Sequence, residues 1–263
     1  MTMQPLDTAT AESLLAFWRE AGVDACYEDA PVDRTHVLPP PALKAVAKAT
    51  AAVTPIVDPS DAIGEARRLA AGADSLEALA TAAATFKGCP LHEMGAGGAV
   101  FGRGAADARL LIVGEAPSLE DDAQGEAFVG PAGRLLDRML AEAELAGQAY
   151  LVNTVFWRPP GGRPPSPAEQ AACAPFVDRA FALLQPKAVL VLGAAAARSV
   201  LGAEEGIMRL RGQWRDWRLA EGGLSAPAIA TLHPAFLLKQ PMAKKQAWAD
   251  MLALAAKLNG TSR

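Results

Sequence analysis

Short apolar runs alternate with amphipathic stretches along most of this chain. The runs cover residues 110–113, 149–156, 188–193 and 228–232, with weaker strand patterns at residues 100–102 and around Trp214 and Trp217. Because the main runs mostly lack alternating polar positions, they are typical of strands buried on both faces of a sheet. Helical periodicity covers residues 131–146, 167–185, 194–201 and 244–258. This order predicts an α/β fold, a three-layer α/β/α sandwich around a mainly parallel sheet.

The first third of the chain differs in composition from the rest. Residues 1–84 hold 6 Lys and Arg against 12 Asp and Glu, whereas the remainder holds 19 against 17. Helical patterns cover residues 8–21, 42–52, 60–71 and 75–86, with a stiff Pro-rich connector before the second. We therefore expect an acidic, helical N-terminal extension over residues 1–84 and an α/β/α domain over residues 85–263. The extension could be a helical cover or a module that binds a partner.

The composition is that of a soluble globular protein. Hydrophobic residues make up 51% of the chain, but no apolar run approaches the roughly 18 residues of a membrane helix, and the first residues lack the pattern of a signal peptide. The three cysteines are widely spaced, which argues against a disulfide framework and fits a reducing compartment. We expect a cytoplasmic protein that does not bind membranes.

Three polar side chains stand at or near the ends of apolar runs. Glu115 follows the first run, Asn153 lies inside the second, and His233 follows the fourth. The carboxyl ends of parallel strands meet at one edge of a sheet, which is where α/β folds place their ligands. A buried Asn is unfavourable unless its amide is hydrogen bonded, either to the backbone of a loop or to a ligand. The convergence of three residues so distant in sequence predicts a site at this edge.

The segment that follows Glu115 combines several acids with one aromatic residue. Asp121 and Asp122 precede a lone Phe128, and a helix then begins at residues 130–133. From composition alone, this segment is either a solvated acidic loop anchored by Phe128 or part of a site. The start of the helix could bind a phosphate through its free backbone N–H groups, or it could simply initiate the helix.

Together these residues form ordered motifs that resemble the family 4 uracil-DNA glycosylases, a group that usually carries an iron-sulfur cluster. Gly-Glu-Ala-Pro at residues 114–117, Phe-Val-Gly at 128–130 and Ala-Gly-x-Leu-Leu at 132–136 resemble the first motif of that family. The strand of Asn153 with Arg-Pro-Pro at 158–160, and His-Pro at 233–234, resemble two further segments. The resemblance covers roughly residues 87–258, about two thirds of the chain.

The resemblance implies a DNA repair enzyme whose sheet has four central strands. Such an enzyme flips uracil out of DNA and hydrolyses its N-glycosidic bond, which leaves an abasic site. Phe128 would stack on the flipped base, Ala116 and Asn153 would contact it, and Asn153 would read its O4 and N3. A neutral His233 would donate to O2 and stabilise the negative charge that develops on the base.

The resemblance also implies which residues handle water and DNA. Glu115 is the first candidate for positioning the catalytic water, with Asp121 and Asp122 as further candidates. The expected partner is uracil-containing DNA, single- or double-stranded, bound by a monomer. The residues expected to contact the DNA are Gly130, Gly133, Arg158, Arg163, Arg211 and Lys239.

One departure from the family concerns the loop after Glu115. Ser118 stands where the family usually has glycine, so the loop would follow another path if that glycine has a positive φ. Two other functions therefore stay open. The chain could be a catalytically weak or silent DNA-binding descendant, or a glycosylase for another damaged base.

The second departure concerns the four positions that hold the family's iron-sulfur cluster. Cys89 and Cys173 occupy two of them, whereas His92 and Trp157 occupy the others. A four-iron cluster normally requires four thiolates, and an indole cannot bind iron. We therefore expect no cofactor, with Trp157 packed into the vacated space. The alternatives are a zinc ion on Cys89, His92 and Cys173, or a labile cluster with an outside ligand.

Overall fold

The structure, a computed structural model, describes residues 59–94, 96–219 and 223–260. Its strands are β1 (Gly102–Gly104), β2 (Leu110–Gly114), β3 (Ala149–Asn153), β4 (Ala188–Leu192), β5 (Trp214–Arg218) and β6 (Ser225–Thr231). Its helices are α1 (Pro59–Ala71), α2 (Leu76–Thr85), α3 (Leu119–Gln124), α4 (Pro131–Glu142), α5 (Pro167–Leu184), α6 (Gly193–Leu201), α7 (Ile207–Leu210), α8 (Pro234–Lys239) and α9 (Lys244–Leu258). Short 3-10 turns lie at Pro90–Glu93, Pro160–Gly162 and Pro241–Ala243.

The six strands form one sheet in the order β1-β3-β2-β4-β6-β5. The four central strands are parallel to each other, as the sequence predicted. β1 and β5 pair antiparallel at the two edges and extend the sheet from four strands to six. β3 lies beside β2 towards one edge of the sheet, and β4 lies beside β2 towards the other edge. The order of the strands therefore reverses its direction at β2. In open α/β sheets, ligands bind at such a point, outside the carboxyl ends of the strands.

Alternate residues of the central strands enter two separate hydrophobic layers. Leu111 and Val113 of β2 pack with α1, α2, α5 and α6, whereas Leu110 and Ile112 pack with α4 and α9. Successive side chains of a strand point to opposite faces, so an apolar run without polar alternation is buried on both. The predicted three-layer α/β/α sandwich is therefore confirmed.

Two short helices, α3 and α8, lie outside the helical patterns predicted from the sequence. α3 begins with a capping box, in which the Ser118 Oγ accepts from the Asp121 N–H and the Asp121 carboxylate accepts from the Ser118 N–H. Gly125 ends it with a φ of 69°. Ser118 itself has a φ of −77°, so this position does not need glycine and the serine adds a cap. A helix of six residues is too short for an apolar period to show in the sequence.

The described part of the N-terminal extension packs on the α/β layers. The compact unit spans residues 55–263, and α1 contacts α5 within it. The Arg179 guanidinium on α5 donates to the Ala73 carbonyl oxygen at the end of α1, and the rings of Phe86 and Phe176 lie 5.4 Å apart. The helices predicted at residues 8–21 and 42–52 lie outside the described residues. Among the helices that the structure describes, none has the length and hydropathy to cross a membrane.

Candidate active site

The carboxyl ends of β2 and β3 bring Gly114 and Asn153 side by side, as the last register pair of their ladder. A Cβ on Gly114 would lie 2.5 Å from the Asn153 Oδ1 and 2.5 Å from the Phe128 Cζ, so these two side chains meet over the glycine. Asn153 is 1% exposed, and neither its Oδ1 nor its Nδ2 has a hydrogen-bond partner among the described residues. Buried amide groups are nearly always hydrogen bonded, so this unpaired amide is an exception. Its two polar atoms can therefore bind a ligand.

Phe128 adopts a backbone conformation that is rare for an aromatic residue, with a φ of 60°. The Asp121 carboxylate lies beside it and is 4% exposed. Asp121 Oδ1 accepts from the N–H groups of Val129 at 2.8 Å and Gly130 at 3.3 Å, while its Oδ2 accepts from the Ser118 N–H at 3.0 Å. Both oxygens are thus used by the backbone. In the structure Asp121 organises the Phe128 loop through these bonds.

His233 follows β6 and forms the N-cap of α8. Its Nδ1 accepts from the Ala235 N–H at 3.2 Å, so in the neutral ring the proton is on Nε2, which can donate to a ligand. Burial lowers the pKa of His233 to about 4, an effect that the Asp121 charge opposes. Gly193, with a φ of 88°, lies at the end of β4 so close that a Cβ there would be 3.2 Å from the His233 Cβ. Because the pKa of His233 is lowered to about 4, its imidazole is neutral at physiological pH.

A cavity of about 290 Å³ opens between α3, the start of α4 and α8. Phe128 and His233 both line it, and its volume is at the small end of the range for ligand pockets. Its remaining lining residues are Ala116, Ser118, Glu120, Asp121, Gly130, Pro131, Ala132, Gly133, Ala235, Leu238 and Lys239. Glu115 and Asn153 are outside this lining in the described part of the chain. The sequence analysis did not assign Ser118 or Leu238 to the site, because neither side chain carries a charge or an aromatic ring that would mark it.

Glu115 is half-buried directly after β2. Burial raises the pKa of its carboxyl group, and the positive charge of Arg198 on α6 opposes that rise. Its main chain is held by Thr154, whose Oγ1 donates to the Glu115 carbonyl oxygen at 2.7 Å. The structure therefore keeps this carboxylate at the same sheet edge as Asn153 and His233, as the order of the strands predicted.

The profile of the Uracil DNA glycosylase superfamily matches residues 101–252 of this chain. That segment contains every residue of the edge just described, from Gly114 to Lys239, and more than half of the chain. The chain belongs to this superfamily. Within it, the resemblance in the motifs extends to whole sequences.

Several proteins named Type-4 uracil-DNA glycosylase are similar to this member of the superfamily. The protein from Thermotoga maritima is 39% identical over 153 residues, which are 57% of this chain and 77% of that protein. The protein from Sulfurisphaera tokodaii is 34% identical over 180 residues, 65% of this chain and 80% of its own length. The protein from Archaeoglobus fulgidus is 31% identical over 182 residues, 67% and 90% of the two chains.

The other predicted polar residues of this glycosylase-superfamily chain are distributed between the site and ion pairs. Lys239, Gly130 and Gly133 line the cavity. Asp122 instead lies 3.0 Å from the Arg158 Nε, and its Oδ1 accepts from the Gly97 N–H at 2.7 Å. This pair ties the Arg-Pro-Pro loop to α3, so Asp122 does not face the cavity.

Two further arginines expected at the DNA are also held by acids. The Arg163 Nη2 lies 2.6 Å from the buried carboxylate of Glu169 at the start of α5. The Arg211 Nε donates to Asp250 on α9 at 3.0 Å, and the Gln246 carbonyl oxygen accepts from its Nη2. A buried carboxylate requires such a partner, so these arginines stabilise loops and helix ends. The sequence shows arginines near a site but not the acids that they meet.

The positions that correspond to the cluster cysteines of similar glycosylases do not fit a cluster here. Cys89 and Cys173 are both buried free thiols, and the Cys89 thiol donates to the Glu169 carbonyl oxygen at 4.0 Å. Trp157 is 2% exposed, with its ring 5.7 Å from that of His92 and 6.1 Å from that of Phe156. Among the described residues, no group of three or more His, Cys, Asp or Glu is placed to hold a metal ion. The donor set supplies two thiols where a four-iron cluster normally uses four.

Proposed function

We propose that this chain is a uracil-DNA glycosylase, which takes uracil out of DNA and hydrolyses its N-glycosidic bond to leave an abasic site. The observation that carries the proposal is the unpaired amide of Asn153, buried where β3 ends and beside the Phe128 ring. An enzyme that acts on a base must extract it from the stack and read its polar edge. The uracil edge offers a carbonyl oxygen that accepts and an N3–H that donates, which matches one amide.

Phe128 supplies the aromatic surface on which the extracted base stacks. Stacking of a base on an aromatic ring contributes about 1–3 kcal/mol and is insensitive to base identity. The selection of uracil therefore depends on the polar contacts to Asn153 and on the shape of the wall near Ala116, which lines the cavity together with Phe128.

His233 stabilises the departing base. Breaking the bond between N1 and the sugar leaves negative charge on the uracil oxygens, and the Nε2–H of a neutral imidazole can donate to O2. A preorganised donor of this type contributes a few kcal/mol to the transition state. The depressed pKa of His233 suits this role, because the ring donates without first being protonated.

Glu115 acts on the other side of the bond. Its carboxylate orients the attacking water and faces the positive charge that develops on the sugar. The water adds to the sugar carbon as the bond to N1 breaks and gives up a proton to the Glu115 carboxylate, and the base leaves as an anion that takes up a proton from solvent. We assign this role to Glu115 rather than to Asp121 or Asp122, because the carboxylates of those two residues bind backbone N–H groups and, for Asp122, Arg158 as well.

Lys239 and the start of α4 contact the DNA backbone in this proposal. Lys239 is exposed and lines the cavity together with Gly130 and Gly133 at the start of α4, where the free N–H groups of the first helical turn can bind a phosphate. All these residues come from one chain, so the reaction requires no second subunit.

We further propose that the enzyme works without the iron-sulfur cluster of its relatives. The buried indole of Trp157 and the thiol pair of Cys89 and Cys173 support this, since they pack where ligands would stand. Burial raises the pKa of Cys173 well above its usual value, so it remains a protonated thiol at neutral pH.

The experiment that tests the function uses the purified chain and labelled oligonucleotides that contain one uracil, single- and double-stranded. Alkaline cleavage after incubation reveals abasic sites. Cleavage at uracil but not at thymine supports the proposal. Binding of uracil DNA without cleavage would instead support a silent descendant, and cleavage only at another damaged base would support a different substrate.

A further inference from the structure

The peptide groups on both sides of Phe128 are bound by two side chains of opposite charge. Arg103, on the edge strand β1, donates from Nε to the Ala127 carbonyl oxygen at 2.7 Å and from Nη2 to the Phe128 carbonyl oxygen at 3.1 Å. Asp121, on α3, accepts from the next two N–H groups along the chain. The two carbonyl oxygens of Ala127 and Phe128 and the two N–H groups that follow them are therefore all hydrogen bonded to charged side chains.

Arg103 is itself anchored. Its Nη2 lies 2.7 Å and 2.8 Å from the two carboxylate oxygens of Asp137 on α4, and its side chain is 24% exposed. Hydrogen bonds between ionised groups are stronger than neutral ones, and the planar guanidinium offers its donors at fixed angles. One side chain thus joins the edge strand β1 to the Phe128 loop and to α4, and both of these line the cavity.

The backbone that this arrangement holds is strained. A φ of 60° is disfavoured for a bulky aromatic residue and persists only where the surroundings enforce it. α4 also approaches the loop so closely that a Cβ on Gly133 would lie 1.7 Å from the Phe128 carbonyl oxygen. Without the bonds from Arg103, the loop could relax to a conformation in which the Phe128 ring no longer lies over Gly114.

We propose that Arg103 is a positioning residue for Phe128, and that the clamp of Arg103 and Asp137 sets where the aromatic ring meets the extracted base. The inference rests on the proposed function, because it takes Phe128 as the stacking surface. Arg103 does not contact the base in this proposal, so its removal affects base capture through Phe128 alone.

The decisive experiment is a double-mutant cycle of Arg103→Met with Phe128→Ala. Single-turnover excision of uracil from an oligonucleotide provides the half-saturating enzyme concentration and the rate at saturation. We expect Arg103→Met to raise the half-saturating concentration about tenfold and to change the saturated rate less than about threefold. The double variant should be no worse than Phe128→Ala, since residues that act through one another are not additive.

Arg103→Lys separates the effect of the planar guanidinium group from the effect of its positive charge. A lysine ammonium keeps the charge but cannot reach two carbonyl oxygens and a carboxylate together, so it should restore little of the loss. Arg215→Met is the matched control, because Arg215 lies on the opposite edge strand β5 and, among the described residues, pairs with one acid, Glu205. It should leave both kinetic parameters unchanged.

Amide hydrogen exchange at Val129 and Gly130 tests the clamp independently of catalysis. In Arg103→Met these amides should exchange faster while those of β2 and β4 keep their protection. Additive effects in the cycle, or unchanged exchange at these two amides, would overturn the proposal. If the wild-type chain releases no uracil, the proposed function fails, and the exchange measurement still decides whether Arg103 holds the loop.

Discussion

Replacing Asn153 with leucine should make this protein more stable and inactive at the same time. The Asn153 Oδ1 and Nδ2 are both buried and have no hydrogen-bond partner among the described residues. A residue of similar shape without polar atoms removes this unfavourable burial. Functional sites are where a sequence departs from the rule that buried polar groups are satisfied.

The expected size of the change follows from the two unpaired atoms. An unsatisfied buried donor or acceptor destabilises a fold by about 1–3 kcal/mol, and bound water can offset part of this. For a unit of residues 55–263, each kcal/mol shifts the melting temperature by about 2–4 °C. Asn153→Leu should therefore raise the melting temperature by roughly 2–10 °C. Loss of two hydrogen bonds to the base, about 1.5 kcal/mol each, should lower uracil excision at least about 100-fold.

Differential scanning calorimetry and single-turnover excision on the same preparations measure both effects. Asn153→Asp serves as the comparison, because it keeps the shape but buries a charge, and it should lower the melting temperature as well as activity. If Asn153→Leu lowered stability as much as activity, the amide would have an internal partner and the argument for a base-reading residue would collapse.

Three further outcomes are expected. His233→Ala should lower the saturated excision rate about 100-fold or more, with little change in DNA binding, because the donor acts mainly in the transition state; an equal loss in binding would assign His233 to the DNA interface instead. The pKa of His233 falls from about 6.5 in the unfolded chain to about 4 in the folded one. The unfolded chain therefore binds the extra proton, so stability should be full above pH 6.5 and decline as the pH falls towards 4, a decline that His233→Gln should reduce in urea titrations. Protein purified anaerobically should be colourless near roughly 400 nm and contain less than about 0.2 iron per chain, with Trp157→Cys alone restoring no cluster; close to four irons per chain would refute the cluster-free proposal, and stoichiometric zinc would favour the three-ligand site.

Arg158, Arg163 and Arg211 show where local pattern stops being informative. All three were predicted at the DNA, and in the structure each meets an acid that the sequence does not mark as its partner. The partners of Arg158 and Arg211 are 36 and 39 positions away along the chain. A charged residue near a motif has the same local pattern whether it faces phosphate or a buried carboxylate. Only the folded arrangement of α3, α5 and α9 reveals these acidic partners.

By itself the sequence determined the order of strands and helices, the layer architecture and the edge of the sheet where Glu115, Asn153 and His233 lie. These follow from local properties, because apolar periodicity defines each element and parallel strands bring their carboxyl ends together. Tertiary structure alone decided that Asp121 accepts from backbone N–H groups, that Asn153 has an unpaired amide, and that Arg103 holds the Phe128 loop. Those outcomes depend on hydrogen-bond geometry between segments distant in sequence, which a pattern of apolar and polar positions does not encode.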